Sequence, residues 1–361
     1  MAFEQVPRHV FVPRIVGCWP PFSSDTEITV DRQSHSDLWL ELVYSDRLLF
    51  IVNDGSRRSS SSMPSVMARF LELLDVHDGG VVLEIGTGSG YNAAILCHRL
   101  GSEHVTSIDI DAELVEAAGP RLAACGYTPT LAVADGWQGY APRAPYDRII
   151  ATCAVPRIPE AWIEQLRPGG VIVAPLRGGR FEAAGLVGLR RRDDGSLTGR
   201  LHPRGAAFMP MRKGPEMPMP ASRERLRSLA QGTDGEERPC TIPAWLEGTD
   251  DGLSPYFFLR LHERDDWEWF WLSGPHGEPR APAAAAPDGS WARVIRRPRR
   301  TFPNVVLQGG PRRLWDLVEE SYAQYLRLGS PGLGRYGLEV EPSGRQFIWL
   351  DRPGSTYAWE L

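Results

Sequence analysis

The sequence predicts an α/β fold with a mostly parallel sheet covered by helices on both faces, followed by a small additional α+β domain. Two observations lead to this prediction. Between residues 81 and 176, apolar strand-like segments alternate with helical segments, and such alternation is typical of βαβ units. After about residue 240 the composition changes, and eight of the twelve tryptophans lie in this last third.

The elements of the α/β part can be assigned in chain order. A helix is expected after Pro64, because apolar residues recur there at helical spacing and Ser62 lies near the cap. The elements that follow are strands over 81–86, 104–110, 130–135, 147–153 and 170–176 and helices over 91–100 and 112–126. The segment 185–202 then predicts a hairpin that turns at Asp194-Gly195.

The remaining segments set the predicted domain boundaries. Residues 38–52 are expected to hold short strands, and the Pro-, Glu-, Arg- and Ser-rich segment 213–240 is interpreted as a linker. The predicted units are therefore an α/β domain over residues 1–212, the linker, and an accessory Trp-rich domain over 241–361.

The accessory domain has three predicted kinds of element. WEWFWLSG is strand-like, residues 278–289 are a Pro/Ala-rich loop, and an amphipathic helix over 312–328 precedes two late strands. Trp267, Trp269 and Trp271 alternate with other residues, so in a strand all three project from one face. This face is either buried in the domain's own core or part of an aromatic docking surface.

Composition excludes several classes of protein. A formal net charge of −5 argues against a general nucleic-acid binder, which needs a basic surface. The basic run Arg296, Arg297, Arg299 and Arg300 is interpreted as a solvated loop or a contact for an acidic peptide. No run of about 18 apolar residues predicts a membrane span, and the N-terminus lacks the layout of a signal peptide. The five cysteines are far apart, so a cytoplasmic protein without a metal site is expected.

The strongest local motif is LEIGTGSGYNAAIL, in which a strand runs into Gly86-x-Gly88-x-Gly90 and then a helix. Glycines at these positions allow a tight turn and a close approach of a ligand to the backbone. The motif alone does not identify the ligand, because an NAD-binding unit has a similar pattern.

Three carboxylates distinguish the ligand. Asp109 ends the second strand at the distance expected for an acceptor of ribose hydroxyls, with a helix cap as the alternative role, although Asp111 is better placed for that. Asp135 can reach an adenine amine, and Glu84 can meet the amino group of a methionine moiety. No basic residue lies near the first turn. Together with LRPGGVIVAPL, which resembles a late segment of class I methyltransferases, these features favour S-adenosylmethionine and a class I S-adenosylmethionine-dependent (Rossmann-like) methyltransferase fold.

Several blocks then occur in the order of one family: VPRHVFVP (6–13), SSSSMPSVMARFLELL (59–74), the glycine-rich turn, ADGWQGYAPRAPYDRIIATCAVPRIPEAWIEQLRPGGVIVAPL (134–176) and AAFMPM (206–211). Over residues 4–212 the chain resembles the protein-L-isoaspartate O-methyltransferase family. Ser61 and Met63 stand where the family motif has isoleucine and glutamine, and the segment 15–58 differs from the family's compact loop.

The resemblance implies the residues of the site. Ser62 corresponds to the family's active-site serine and is the expected catalytic residue, although the serine run is also compatible with a flexible linker. The implied cofactor-binding residues are Ser62, Glu84, Gly86, Thr87, Gly88, Gly90, Asp109, Ile110, Asp135 and Gly136. The cofactor is S-adenosyl-L-methionine, and its product is S-adenosyl-L-homocysteine.

The tail, residues 308–351, resembles long homologues that act on ribosomally made peptides, including lanthipeptides, lasso peptides and graspetides. It is expected to have no counterpart in the repair enzyme and to form a substrate-recognition domain. The function this implies is methylation of an aspartate in a macrocyclised precursor peptide, whose ester collapses to an aspartimide. The alternatives are repair of isoaspartyl residues and a scaffold that has lost turnover. A monomer with a peptide partner is expected.

Overall fold

The computed structural model describes residues 2–18, 28–53, 58–176, 185–212, 221–242, 257–259, 261, 267–272, 281–296 and 304–361. Within these ranges the principal α-helices are α1 (Ala2–Gln5), α2 (Arg8–Phe11), α3 (Ser36–Tyr44), α4 (Pro64–Leu74), α5 (Tyr91–Leu100), α6 (Ala112–Ala124), α7 (Glu160–Gln165), α8 (Ala221–Leu229) and α9 (Leu314–Arg327). The strands are β1 (Ile15–Cys18), β2 (Ile28–Asp31), β3 (Leu49–Asn53), β4 (Arg58–Ser61), β5 (Val82–Ile85), β6 (Val105–Asp109), β7 (Thr130–Val133), β8 (Tyr146–Ala151), β9 (Leu166–Leu176), β10 (Gly185–Arg191), β11 (Leu197–Arg200), β12 (Glu236–Pro239), β13 (Glu268–Leu272), β14 (Ala281–Ala285), β15 (Trp291–Ile295), β16 (Val305–Gly309), β17 (Tyr336–Val340), β18 (Gln346–Leu350) and β19 (Ala358–Glu360).

A sheet of ten strands in the order β19-β18-β17-β11-β10-β9-β8-β5-β6-β7 forms the centre of the molecule. The strands from β7 to β9 are parallel. The chain moves outward from β5 to β7 and then returns to the other side of β5 as β8. Such a reversal creates a crevice at the carboxyl ends of the strands, where ligands bind in open α/β sheets. The predicted α/β fold is confirmed.

Local sequence explains the helices around this sheet. Pro64 begins α4 at a position where the missing N–H costs nothing, and Asp111 caps α6 by accepting from the Glu113 N–H at 3.2 Å. All four residues of β5 are buried, as expected for a strand covered on both faces. The predicted hairpin is also confirmed, since β10 and β11 pair around Asp194-Gly195.

The C-terminal strands contradict the predicted boundary between two domains. β17 pairs with β11, with Leu197 opposite Val340, so the last strands extend the sheet of the α/β part. The side chain of Gln346 also exchanges two hydrogen bonds with the backbone of Ile158, at 2.8 and 2.7 Å. The physical reason is that β11 would otherwise present an unpaired edge.

The predicted linker is also partly wrong. Residues 213–220 lie outside the described residues, but 221–229 form α8 and 236–239 form β12, which pairs with β16. Leu226 of α8 packs in a buried cluster with Phe270 and Trp291. Burial of this apolar contact stabilises a helix whose remaining face is polar.

A second sheet, in the order β12-β16-β15-β14-β13, occupies much of the C-terminal part. The Pro/Ala-rich segment predicted as a loop contains β14, whose five residues are all buried. Because alanine side chains are short, α8 and α9 can pack closely against this strand. Trp267 and Trp269 are 5% and 6% exposed, and the Trp269 ring lies 5.8 Å from Trp315, so these two tryptophans belong to the core. The basic run predicted as a loop lies outside the described residues, apart from Arg296.

The N-terminal part forms a sheet in the order β2-β1-β3-β4. The segment 38–52, predicted to hold short strands, contains one, β3, in its second half, whereas its first half lies in α3. Trp39, Leu42 and Val43 are buried on one face at helical spacing, which explains the helix. In the described ranges, we find no helix with the length and apolar character that a membrane span requires.

Candidate cofactor and active site

A cavity of about 1250 Å³ lies at the carboxyl ends of β5, β6 and β8. Its walls come from the glycine-rich turn, the serine run before α4, and the segment 205–212. Small-molecule sites commonly enclose roughly 300–1,000 Å³. The cavity therefore has room for a cofactor and for part of a second molecule.

Of the predicted site residues, seven line this cavity: Ser62, Gly86, Thr87, Gly88, Asp109, Ile110 and Gly136. Glu84, Gly90 and Asp135 do not belong to its lining. The seven lining residues lie at or just after the ends of strands, or directly before α4. Glu84, Gly90 and Asp135 instead contact other parts of the protein.

The glycine-rich turn requires two of its glycines for different reasons. Gly86 has φ +105°, and a Cβ there would lie 2.4 Å from the Thr152 hydroxyl oxygen. Gly90 has φ +86°, and a Cβ there would lie 3.1 Å from the Cβ of Ala118. Gly90 therefore allows α5 to pack against α6 and does not contact the cavity, which corrects its predicted role.

Asp109 ends β6 at the cavity wall. Its Oδ2 accepts from the Gly88 N–H at 3.0 Å, and its Oδ1 accepts from the Asp111 N–H at 3.1 Å. Burial raises the pKa of Asp109 above its ordinary value, and the two backbone hydrogen bonds act in the opposite direction. Arg212 Nη2 lies 3.6 Å from Oδ1. The carboxylate is thus fixed against the glycine-rich turn, beside the open space of the cavity.

Glu84 is not among the residues that line the cavity, so the prediction that it contacts the ligand stays a prediction. The residue is fully buried, with Oε1 accepting from Asn92 at 2.7 Å and Oε2 from the Ser107 hydroxyl at 2.6 Å. Ser107 in turn lies 2.7 Å from the Thr87 hydroxyl. Burial raises the pKa of Glu84 to about 7. Glu84 therefore supports two residues of the cavity wall, Asn92 and Thr87, from beneath.

Asp135 lies between two residues of the cavity wall, Ala134 and Gly136, and the prediction that it contacts the ligand stays a prediction. Its carboxylate accepts from the Trp137 N–H at 3.0 Å and caps a short 3-10 helix, Gly136–Gln138. Gly136 does line the cavity. A Cβ on Gly136 would lie 2.7 Å from both Ile85 Cγ2 and Met211 Sδ, so only glycine allows these two side chains to pack at this position.

Ser62 and the three serines before it also line the cavity. A buried arginine holds this segment, and the sequence analysis did not identify it. Arg8 is 2% exposed and donates to the Ser61 hydroxyl at 3.1 Å and to the carbonyl oxygens of Ser61 and Ser62 at 3.2 and 3.0 Å. It also donates to the carbonyl oxygens of Val43, Ser45 and Arg47. A single charged residue inside the apolar block VPRHVFVP is the only sequence signal for it.

The segment 205–212 forms a further wall that sequence reasoning did not assign to the site. The Met211 N–H donates to the Ala154 carbonyl oxygen at 2.8 Å, and the Ala154 N–H donates to the Met209 carbonyl oxygen at 2.9 Å. At the end of the segment, Arg212 lies 3.4 Å from Asp111. The segment therefore crosses the cavity from the end of β8 to the start of α6.

These features fit a nucleoside cofactor. A Cβ on Gly88 would make ordinary van der Waals contact with the Ser59 hydroxyl oxygen at 3.8 Å, so the glycine-rich turn lies next to the serine run. Asp109 provides a fixed hydrogen-bond acceptor at the cavity wall. Within the described part of the chain, no group of His, Cys, Asp and Glu side chains is arranged to hold a metal ion. Fold and cavity define a class I S-adenosylmethionine-dependent methyltransferase.

Comparison with known proteins identifies the family within this class. Residues 24–214 match the family model described as protein-L-isoaspartate(D-aspartate) O-methyltransferase, and the chain belongs to this family. A protein-L-isoaspartate O-methyltransferase from Methanopyrus kandleri is 35% identical over 213 residues, which cover 58% of this chain and 81% of that relative. One from Ignicoccus hospitalis is 47% identical over 117 residues, covering 32% of this chain and 56% of that relative.

A solved structure gives information on the C-terminal part. A structure named protein-L-isoaspartate O-methyltransferase covers 97% of this chain and 94% of its own, with a TM-score of 0.55 and 22% identity. At this identity the likeness shows the fold alone. The expectation that the C-terminal part has no counterpart in a protein of that name is therefore wrong at the level of fold.

Proposed function

We propose that this protein transfers the methyl group of S-adenosylmethionine to the free carboxylate of an isoaspartyl residue in a peptide or protein. The observation that carries the proposal is that the glycine-rich turn with Asp109 and the serine run ending at Ser62 line one and the same cavity. Membership of the family supports the choice of acceptor.

The two sides of the cavity are assigned different tasks. Gly86, Gly88 and Asp109 would hold the cofactor, with Asp109 accepting from the ribose hydroxyls. Ser62 would orient the acceptor carboxylate through its hydroxyl. Glu84 would support this arrangement indirectly, by fixing Asn92 and Thr87.

Little acid–base chemistry is required of the protein. S-adenosylmethionine, when bound, supplies an electrophilic methyl group. A carboxylate has a reference pKa of about 4, so the acceptor is already ionised at neutral pH and needs no general base. The residues of the cavity therefore act by holding the two reactants in line and by excluding water, which is a proximity effect.

The test pairs substitutions at two residues of the cavity wall, Ser62 and Asp109. Ser62→Ala should lower kcat/KM for a synthetic isoaspartyl peptide roughly 10- to 100-fold, the value of a lost hydrogen bond to a charged group, and leave S-adenosylhomocysteine affinity unchanged in calorimetry. Asp109→Ala should weaken that affinity by a similar factor. If the wild-type protein leaves the isoaspartyl peptide unmethylated, the proposed acceptor is wrong. If Asp109→Ala binds S-adenosylhomocysteine normally, the assignment of the cofactor side fails.

The second candidate is methylation of an aspartate in a cyclised precursor peptide, with collapse of the ester to an aspartimide. Ser61 and Met63, which depart from the family motif, lie on the cavity wall beside Ser62 and favour an altered acceptor. Mass spectrometry distinguishes the candidates. A cyclised peptide would gain a methyl group and then lose methanol, whereas the first candidate requires methylation of a linear isoaspartyl peptide and no preference for the cyclised one.

A further inference from the structure

The charges on the cavity wall are unevenly balanced. Among the described residues that line the cavity, Arg69, Asp109 and Arg212 are the charged ones. Arg212 lies 3.6 Å from Asp109 and 3.4 Å from Asp111, so its charge is compensated by these carboxylates. Arg69 has no ion-pair or hydrogen-bond partner among the residues that the structure describes. The wall therefore carries one uncompensated positive charge, and it belongs to Arg69.

The position of Arg69 places this charge on the acceptor side. Arg69 lies in α4, which begins two residues after Ser62, and Met63 and Val66 of the same segment also line the cavity. Side chains of helical residues lean toward the helix N-terminus, and the N-terminal end of α4 is next to Ser62. Phe70 and Leu74 are buried on another face of the helix, so α4 holds Arg69 on a rigid element.

The surroundings of Arg69 favour an anionic ligand. The side chains that line the acceptor side near α4 are hydroxyl or apolar groups, including those of Phe50, Met63 and Phe208. A half-buried guanidinium without a partner is unusual, because charged groups that leave water are normally paired. Its planar donors match a carboxylate with two parallel hydrogen bonds.

We propose that Arg69 docks a carboxylate of the acceptor peptide. The inference rests on the proposed function, because it takes the acceptor to enter this cavity. The carboxylate has two sources with the same chemistry: the reacting group of the isoaspartyl residue, and an acidic side chain next to it.

The experiment compares isoaspartyl peptides that carry Glu or Gln beside the reacting residue, with Arg69→Met, Arg69→Lys and the wild type. Arg69→Met should raise KM about 10- to 100-fold, the range of a lost charge-assisted hydrogen bond, with little change in kcat or in S-adenosylhomocysteine affinity. Arg69→Lys, which keeps the charge, should recover part of the loss. The matched control is Arg327→Met, at an exposed arginine in the last turn of α9, and it should behave as the wild type.

The comparison of the Glu and Gln peptides distinguishes the two sources of the carboxylate. A rise in KM confined to the Glu peptide assigns the contact to the neighbouring side chain, and an equal rise for both peptides assigns it to the reacting carboxylate. Unchanged KM values for both peptides in Arg69→Met overturn the proposal, as does a loss of kcat alone.

A binding measurement separates failure of this inference from failure of the proposed function. Calorimetry of the S-adenosylhomocysteine-loaded protein needs no turnover. The wild type should bind the Glu peptide at least as tightly as the Gln peptide, and Arg69→Met should bind the Glu peptide about tenfold or more weakly. If the wild type and Arg69→Met bind the Glu peptide equally well, Arg69 does not contact a carboxylate, whether or not any peptide is methylated. If the variant binds more weakly, the contact is supported even when no peptide is methylated.

Discussion

Glu84 is a single buried residue that makes the stability of the protein depend on pH. Burial raises the pKa of its carboxyl to about 7 from an ordinary value of about 4.5, although Ser107 and Asn92 donate hydrogen bonds to it. Between these two values the folded protein holds a proton that the unfolded chain releases. The free energy of unfolding therefore falls as pH rises from about 4.5 to about 7, by about 3 kcal/mol at most.

We expect Glu84→Gln to remove this contribution. The amide can accept from Asn92 and donate to Ser107, whose hydroxyl can turn toward Thr87. Measured by urea unfolding between pH 5 and pH 8, the wild type should lose stability relative to the variant as pH rises. The matched control is Glu320→Gln, at an exposed position of α9, which should follow the wild type. Parallel curves for Glu84→Gln and the wild type would contradict the shifted pKa.

Position relative to the strands explains which site residues can be predicted from sequence. Gly86 and Asp109 are recognisable because residues at the ends of parallel strands meet at one edge of the sheet. Glu84 lies two residues before Gly86, inside β5, and its carboxylate is covered by Asn92 and Ser107. No local pattern distinguishes a carboxylate that faces the ligand from one that supports the wall.

At the scale of elements, Arg8 joins α2, the end of α3 and the segment after β4. Its acceptors are separated from it by 35 to 54 residues in sequence, which is why the sequence does not reveal them. Burial lowers the pKa of Arg8 to about 10, so the guanidinium stays charged at neutral pH. The bonds satisfy buried carbonyl oxygens that would otherwise be costly.

Arg8→Met should therefore lower the free energy of unfolding by roughly 3 kcal/mol or more, since several buried acceptors lose their donor at about 1–3 kcal/mol each. It should also impair methylation more than S-adenosylhomocysteine binding, because the carbonyl oxygen of Ser62 is released while the glycine-rich turn is unaffected. Urea unfolding and calorimetry measure the two effects. A variant with wild-type stability would show that water or another donor replaces the guanidinium. Arg327→Met again serves as the surface control.

Elements with a complete local signature are the predictable ones. α4 has its initial proline and α6 its Asp111 cap, and both form where expected. β14 has no such signature, because Ala and Pro disfavour strands in isolation. Pairing with β13 and β15 overrides this preference, and such pairing depends on segments that are distant in sequence.

For the whole molecule, the important feature is that one sheet includes both the parallel strands β5 to β9 and the last strands of the chain, β17 to β19. The strands β17 to β19 continue the sheet that carries the cofactor side of the cavity. One buried cluster contains Leu83 and Ile149 of the parallel strands together with Leu338 and Ile348 of the C-terminal ones. A composition change near residue 240 suggests a domain boundary, but composition cannot show that a later strand returns to an earlier sheet.

This continuity predicts that the chain unfolds as one unit. Gly337→Ala provides a point test in full-length protein, because a Cβ there would lie 2.0 Å from the Trp349 ring and would separate β17 from β18. Tryptophan fluorescence, which reports mostly on the C-terminal part, and far-ultraviolet circular dichroism should show one coincident transition in the wild type and one at lower temperature in the variant. S-adenosylhomocysteine should raise the temperature of the transition seen by both probes, since a ligand that binds only the folded state stabilises the whole cooperative unit.

A polypeptide of residues 1–212 alone should not fold stably, because β11 loses its partner strand β17 and apolar residues such as Leu197 become exposed. Two separate transitions, with the ligand shifting only one of them, would instead restore the interpretation of two independent domains.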